Sequence, residues 1–238
     1  MIVEMSNKQH DAYFFDMDNT LTEARTLIRP EHLELLLKLN ETSAVIIVSG
    51  AVIQQIQTQI PVKNFILLSQ NGNLAELNSE IIFQQPPLNE QEIFEIKNHI
   101  KLICLNPEQA EDEYYTQIRG QQISYSAIGH TADRASKEAY DPNRQVRLKQ
   151  LATHPFISET LAVFIGGSTC LDYIRKDGTK GANVRRMIEL KQYKYPIYLG
   201  DALFPGGNDN SVVSVCETLQ INSVEETFDF IQKQLRAI

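Results

Sequence analysis

Two carboxylates, Asp16 and Asp18, stand one residue apart at the end of the apolar run Tyr13-Phe14-Phe15. Like charges at that spacing repel and each resists leaving water, so a buried strand ending on both needs a compensating cation. Partners recur further along the chain. Ser49-Gly50 follows "AVIIV", Lys180 stands in "DGTKG", Asp201 follows "PIYLG", and Asp209 closes the same stretch, "GDALFPGGND". The four aspartates are hard oxygen donors suited to Mg2+, which keeps waters and a phosphate oxygen in its shell. Lys180 adds a second positive charge, and Ser49 with loop amides offers donors to a phosphoryl group. A carboxylate held ionised by Mg2+ and lysine can attack phosphorus and form an aspartyl-phosphate. A second carboxylate beside it can serve as general acid and base. Singly, each feature suits a turn, a helix cap or a solvated lysine; their joint occurrence is what points to phosphoryl transfer.

Positioning these residues takes strands that end where the polar groups begin. "AYFF", "AVIIV" and "FILLS" read as strands, while "PEHLELLLKLNE", opened by Pro30, and "AVIQQIQTQI" read as helices. That alternation predicts a parallel sheet covered on both faces, whose ligands bind beyond the carboxyl ends of the strands. Asn71-Gly72 gives a type I′ turn signal, with "LAEL" and "EIIF" suiting a hairpin around it. After "QQPPL" the character changes. A helix, "NEQEIFEIKNHIKLI", precedes the alternating pair "EYYTQIRG" and "QQISYSAIG". "SKEAYDPNRQVRLKQLA" reads as a helix with Pro142 in its first turns or breaking it, and "TLAVFIGG" with "TCLDYI" as another strand pair. The α/β pattern resumes with "GANVRRMIEL", "YPIYLGDA" and a final helix. The fold class expected is α/β: a Rossmann-like parallel-sheet core in two parts, 1–83 and 177–238, with an α+β cap of antiparallel sheet and helices inserted at 84–176.

At 238 residues, 42% hydrophobic and 22% charged, the chain has the composition of an ordinary globular protein. A net charge of −8 argues against nucleic acid or an anionic membrane surface as the main partner. Three scattered cysteines with no C-x-x-C pair fit a reducing compartment and argue against a structural zinc site. The N-terminus lacks the basic-then-apolar pattern of a signal peptide, and no apolar run approaches a membrane span. The expectation is a cytoplasmic protein.

"FFDMDNTLT", "VSGA", "DGTKG" and "GDALFPGGND" resemble the four motifs of the haloacid dehalogenase-like phosphotransferases. The resemblance implies Asp16 as nucleophile and metal ligand, and Asp18 as acid/base whose carbonyl also reaches the metal. It implies Ser49, with Gly50, and Lys180 on the phosphoryl group, Asp201 as a ligand of Mg2+, and Asp209 as either a ligand or a partner that supports the ligands. Asn19 stands where that family has glycine; asparagine tolerates unusual backbone angles better than most residues. A non-catalytic binding module would be expected to lose a motif residue, and Asp16, Asp18, Ser49, Lys180 and Asp201 are all present.

The inserted segment is similar to the cap of the eukaryotic-type phosphomannomutases. "RGQQISYSAIGH", "RASKEAYDPNRQVR" and "FIGGSTCLDYIRKDGTKG" carry that likeness, and "LTEAR" places Arg25 at a core arginine facing substrate. The resemblance implies that Arg25, Arg119, Arg134 and Asp172 fall on that family's sugar-phosphate contacts, as do His130 and Cys170, where the family has Arg and Ser. An arginine cluster can grip a second, non-reacting phosphate by bidentate bonds; a neutral histidine cannot, and cysteine donates poorly. Lys137 and Arg144 read as a solvated helix face. The implied reaction interconverts mannose 6-phosphate and mannose 1-phosphate, with a hexose 1,6-bisphosphate as activator and intermediate. The alternative is a phosphatase on sugar phosphates or related small phosphoesters using the same core residues. The resemblance further implies a small-molecule sugar-phosphate partner and a homodimer through the cap.

Overall fold

The computed structural model describes residues 9–237. Two compact units emerge. The first comprises the chain up to Phe83, Lys180–Phe204 and the segment from Asp209 onward; the second comprises Gln84–Thr179 with Pro205–Asn208.

In the first unit the strands are β1 (Ala12–Asp16), β2 (Ala44–Val48), β3 (Ile66–Ser69), β4 (Leu74–Leu77), β5 (Glu80–Gln84), β10 (Pro196–Gly200) and β11 (Glu217–Gln220). The helices are α1 (Pro30–Asn40), α2 (Ile53–Gln59), α6 (Lys180–Lys191) and α7 (Val224–Ala237). The sheet order is β11-β10-β1-β2-β3-β4-β5. From β11 to β3 all neighbours run parallel, and β4 returns antiparallel to β3. Side chains alternate across this sheet and feed two separate cores. Tyr13, Phe15, Val45, Ile47, Ile197 and Leu199 pack with α1, α2 and α7. Ala12, Phe14, Ile46, Val48 and Tyr198 pack with Val184 and Met187 of α6. Burial on both faces explains why these strands read as continuous apolar runs. Each fully buried Phe or Leu contributes about 1.5–3 kcal/mol.

The second unit holds β6 (Thr116–Ile118), β7 (Gln122–Ser126), β8 (Leu161–Gly166) and β9 (Cys170–Arg175), with α3 (Glu90–Ile103), α4 (Arg134–Tyr140) and α5 (Gln145–Thr153). Its sheet, β6-β7-β9-β8, is antiparallel throughout. Ile123, Tyr125, Leu171 and Tyr173 pack on Ile96 and Ile100 of α3, which an Asn89–Glu92 capping box opens. The opposite face carries Ser124, Ser126, Cys170 and Asp172, paired across β7 and β9.

Several local expectations need correction. Asn71-Gly72 does not turn the LAEL/EIIF hairpin: it lies in the short turn Gln70–Gly72 joining β3 to β4. Asn78 and Ser79, at φ 54 and 67, take the left-handed corner between β4 and β5. The helix expected across Pro142 is two helices. Asp141 leaves helical geometry before the proline and Arg144 sits at φ 61, because Pro142 disfavours helix in the residue before it. Lys137 is not on a solvated face: it is buried, and its ammonium donates to the His130 carbonyl at 2.5 Å. Among the described residues no helix is long and apolar enough to cross a membrane.

Candidate active site

β1 lies where the order of the first sheet reverses: the chain runs outward through β2 and β3 on one side and through β10 and β11 on the other. Such a switch point leaves a crevice beyond the carboxyl ends. Asp16 is level with Val48, and Phe15 with Leu199, so Ser49 and Asp201 leave their strands beside the end of β1. Past Asp16 the chain tightens at once. The Thr20, Leu21 and Thr22 amides all donate to the Met17 carbonyl, and Asn19 takes φ 62. Asp18, inside this turn, accepts from the Arg25 backbone amide at 3.1 Å. Burial raises its carboxyl above the usual range against the pull of Arg25, so a proton is held more readily there.

Lys180, the first residue of α6, joins the other groups. Its ammonium donates to Asp16 Oδ1 at 2.5 Å and to Asp209 Oδ1 at 2.7 Å. Burial works against that charge, yet Asp16 and Asp209 outweigh it and hold the ammonium above its ordinary value. Burial pushes the Asp16 carboxyl upward; Lys180 opposes this, while Asp209 and Asp201 add to it. Carboxylate oxygens of Asp16, Asp201 and Asp209 lie within 4.8 Å of one another. One ammonium does not balance three carboxylates, and an all-oxygen set of this kind fits Mg2+. Asn19 Nδ2 donates to Asp201 Oδ2 at 3.3 Å. A cavity of about 720 Å³ opens beside Asp201 and Asn19, walled by Phe204, Gln220 and the first turn of α7.

Asp209 owes its placement to residues that the apolar pattern of the sequence hides. Tyr198, in the middle of β10, donates its hydroxyl to Asp209 Oδ1 at 2.7 Å; burial and then the Asp209 charge push that phenol well up. A Cβ on Gly200 would sit 2.5 Å from Asp209 Oδ2, so only glycine leaves room there.

Ser49 is buried, and its Oγ accepts from the Ala51 amide at 3.1 Å. A second pair of residues outside the motifs supports it. Asn71 donates its amide to the Ser49 carbonyl, and Asn183, one turn beyond Lys180, donates to the Asn71 carbonyl at 2.9 Å and to Asn73 Oδ1 at 3.2 Å. Helix α6 and the segment after β2 are thereby tied together. Gly72, at φ 85 and 2.6 Å from Asn183 Cβ if it bore a Cβ, permits that approach.

In the second unit the structure joins Arg119, His130 and Asp172 through Ser124. Arg119 donates from Nε and Nη2 to Gln117 Oε1, at 3.2 and 2.9 Å, and Nη2 lies 3.4 Å from His130 Nδ1. His130 Nε2 bonds the Ser124 carbonyl at 3.0 Å, and Ser124 Oγ donates to Asp172 Oδ1 at 2.6 Å. Cys170 faces Ser126 across the ladder, and its carbonyl accepts from Arg147 at 3.0 Å. Arg134 opens α4; its side chain lies outside the described residues. Arg147, fully buried, pairs with Asp141 at 2.7 Å.

The profile of the haloacid dehalogenase-like hydrolases matches residues 13–201. The chain is 27% identical over 212 residues to a phosphomannomutase of Triticum aestivum, covering 83% of this chain and 84% of that one. It is 26% identical over 236 residues to phosphomannomutase 1 of Dictyostelium discoideum, covering 92% and 94%. Among solved structures it is similar to the IMP-nucleotidase of Plasmodium falciparum, with TM-score 0.67, 16% identity, and coverage of 98% of this chain and 72% of that one. SMU.1108c of Streptococcus mutans gives TM-score 0.68 at 13% identity, covering 96% and 100%. The profile match runs from β1 to the aspartate after β10 and takes in Asp16 and Asp201 of the carboxylate cluster; the chain therefore belongs to the haloacid dehalogenase-like hydrolase family, with phosphomannomutases as its relatives along most of its length.

Proposed function

We propose that this enzyme is a Mg2+-dependent phosphomannomutase-type phosphotransferase that interconverts mannose 6-phosphate and mannose 1-phosphate. The observation that carries the reading is the Lys180 bridge between Asp16 and Asp209 at the sheet's switch point, in a chain similar over most of its length to phosphomannomutases. Asp16 is the nucleophile. One of its carboxylate oxygens bonds to phosphorus as the phosphorus–oxygen bond to the sugar breaks, and Asp18 gives its proton to the departing oxygen. In the return step Asp18 takes the proton of the entering sugar hydroxyl, and the phosphorus–Asp16 bond breaks. A hexose bisphosphate links the two half-reactions. Asp16, the Asp18 carbonyl, Asp201 and Asp209 would hold Mg2+, which would supply positive charge to keep Asp16 ionised and to offset charge on the phosphoryl oxygens. Ser49, the Gly50 amide and Lys180 bind the transferred group; Arg25, Arg119, Arg134, Cys170 and Asp172 are assigned to the sugar and its distal phosphate.

A second reading, a phosphatase with the same core, is favoured by one observation. His130 is 4% exposed with both ring nitrogens engaged inside its own unit, which favours a weaker grip on a distal phosphate. A weaker hold on the bisphosphate shifts the outcome toward water. Phosphorus NMR with Mg2+, mannose 1-phosphate and a trace of glucose 1,6-bisphosphate separates the two. Mannose 6-phosphate without inorganic phosphate supports the mutase; inorganic phosphate alone supports the phosphatase; neither product sinks both. The free state of all three cysteines supports a cytoplasmic setting, and a homodimer through the inserted unit is part of the same proposal.

A further inference from the structure

His130 occupies a position where the sequence suggested a ligand contact, yet its surroundings assign it another task. It is almost wholly buried, and four of its polar atoms are spoken for. The backbone amide donates to the Tyr114 carbonyl at 2.8 Å, and the backbone carbonyl accepts from the Lys137 ammonium at 2.5 Å. Nε2 is 3.0 Å from the Ser124 carbonyl, and Nδ1 is 3.4 Å from Arg119 Nη2. A carbonyl only accepts and a guanidinium only donates. Those two neighbours therefore fix one tautomer: the proton sits on Nε2, and Nδ1 presents a lone pair to Arg119. Gln117 Oε1 takes the Nε edge of the same guanidinium. Among the described residues Nη1 alone of the three nitrogens donates to nothing. Arg119 is thus held through Nε and Nη2.

We infer that His130 is a positioning residue: as a neutral, Nε2-protonated imidazole anchored by Lys137 and Ser124, it orients Arg119 and does not itself touch substrate. This rests on the phosphoryl-transfer reading above for what Arg119 grips. His130 thus acts at this position as an acceptor that aims Arg119. Ser124 ties the arrangement to Asp172 through its hydroxyl, so the two proposed sugar contacts share one support.

The test compares His130→Asn with His130→Gln. An Asn Oδ1 can stand near the place of Nδ1 and keep the acceptor for Arg119. A Gln amide reaches the place of Nε2 and keeps the Ser124 bond but not that acceptor. The expectation is a KM for mannose 1-phosphate within about twofold of wild type for the Asn variant and raised at least ~tenfold for the Gln variant, with kcat moving far less than KM. Equal effects of the two variants, the reverse order, or no effect of either would overturn the assignment. Long-range nitrogen–proton NMR of the wild type reads the tautomer directly, whether or not either variant folds. A proton on Nδ1 at neutral pH would overturn the inference as well. If the wild type turns over no phosphate ester, the functional reading falls, and the tautomer still decides whether His130 is an acceptor for Arg119.

Discussion

Tyr198 and Lys180 donate to the same oxygen, Asp209 Oδ1, each at 2.7 Å. A neutral and a charged donor thus fix one buried carboxylate, while its Oδ2 accepts from the Ala202 amide at 3.3 Å. Tyr198→Phe deletes the neutral donor without removing the ring. The expected outcome is a loss of about 1–3 kcal/mol in urea unfolding, together with weaker Mg2+ binding by isothermal titration. Wild-type stability in the variant would show that the hydroxyl does not hold Asp209.

On the proposed mechanism Asp16→Asn removes the nucleophile and one of the two carboxylates on Lys180. Turnover of mannose 1-phosphate should fall by roughly three orders of magnitude or more, with circular dichroism like that of wild type, since Asp209 still balances the buried ammonium. Residual turnover within tenfold of wild type would remove Asp16 from the chemistry.

Asp201→Asn addresses the crowding of three carboxylates. Without Mg2+ the substitution relieves like-charge repulsion, and a gain of roughly 1 kcal/mol corresponds to a rise in Tm of about 2–4 °C. Adding Mg2+ should raise the Tm of wild type and leave that of the variant almost still. Equal metal-induced shifts would exclude Asp201 as a ligand.

His99, in the second unit, gives a separate pH dependence. Its Nδ1 is 2.7 Å from the Tyr173 hydroxyl and its Nε2 2.8 Å from the His154 carbonyl, and burial lowers its proton affinity below the ordinary value of 6.5. In the window just below 6.5 the unfolded chain binds the proton and the folded chain does not. The stability is therefore fully present above that pH and is lost as pH falls toward the lower folded value. Urea unfolding between pH 7.5 and 5 should show this slope in wild type and a shallower one in His99→Gln. Equal slopes would show that His99 contributes none of it.

What could be read along the chain was local. Asp16, Ser49 and Asp201 end apolar runs, and a strand fully buried on both faces announces its own end when polarity returns. Asn19 was legible for a similar reason, since its tolerance of left-handed angles matches the φ of 62 found there. What could not be read depended on partners brought in by the fold from outside the local helix or strand. Tyr198 sits in "PIYLG" as one more buried ring, and nothing nearby says that its hydroxyl meets a carboxylate eleven residues on. Lys137 has the spacing of a solvated helical face, yet it is buried and its ammonium donates to the His130 carbonyl. The Asn71-Gly72 signal marked a real left-handed turn but misassigned the strands it joins, because turn chemistry does not specify which strand comes back to pair.

Arg147 reaches from the start of α5 to the corner between β8 and β9, where Nη1 donates to the carbonyls of Gly166, Gly167 and Cys170 at 2.8, 3.1 and 3.0 Å. Its other side is locked to Asp141, itself buried. Segments up to 23 residues apart are thus pinned by a side chain, in a protein whose three cysteines are all free. The guanidinium behaves as a cross-link that no thiol can cut: changing redox conditions leaves it in place, whereas any step that exposes the corner to water must first strip one cation of three carbonyls and a counter-ion together. That corner should accordingly be among the last parts of its unit to exchange its amide protons.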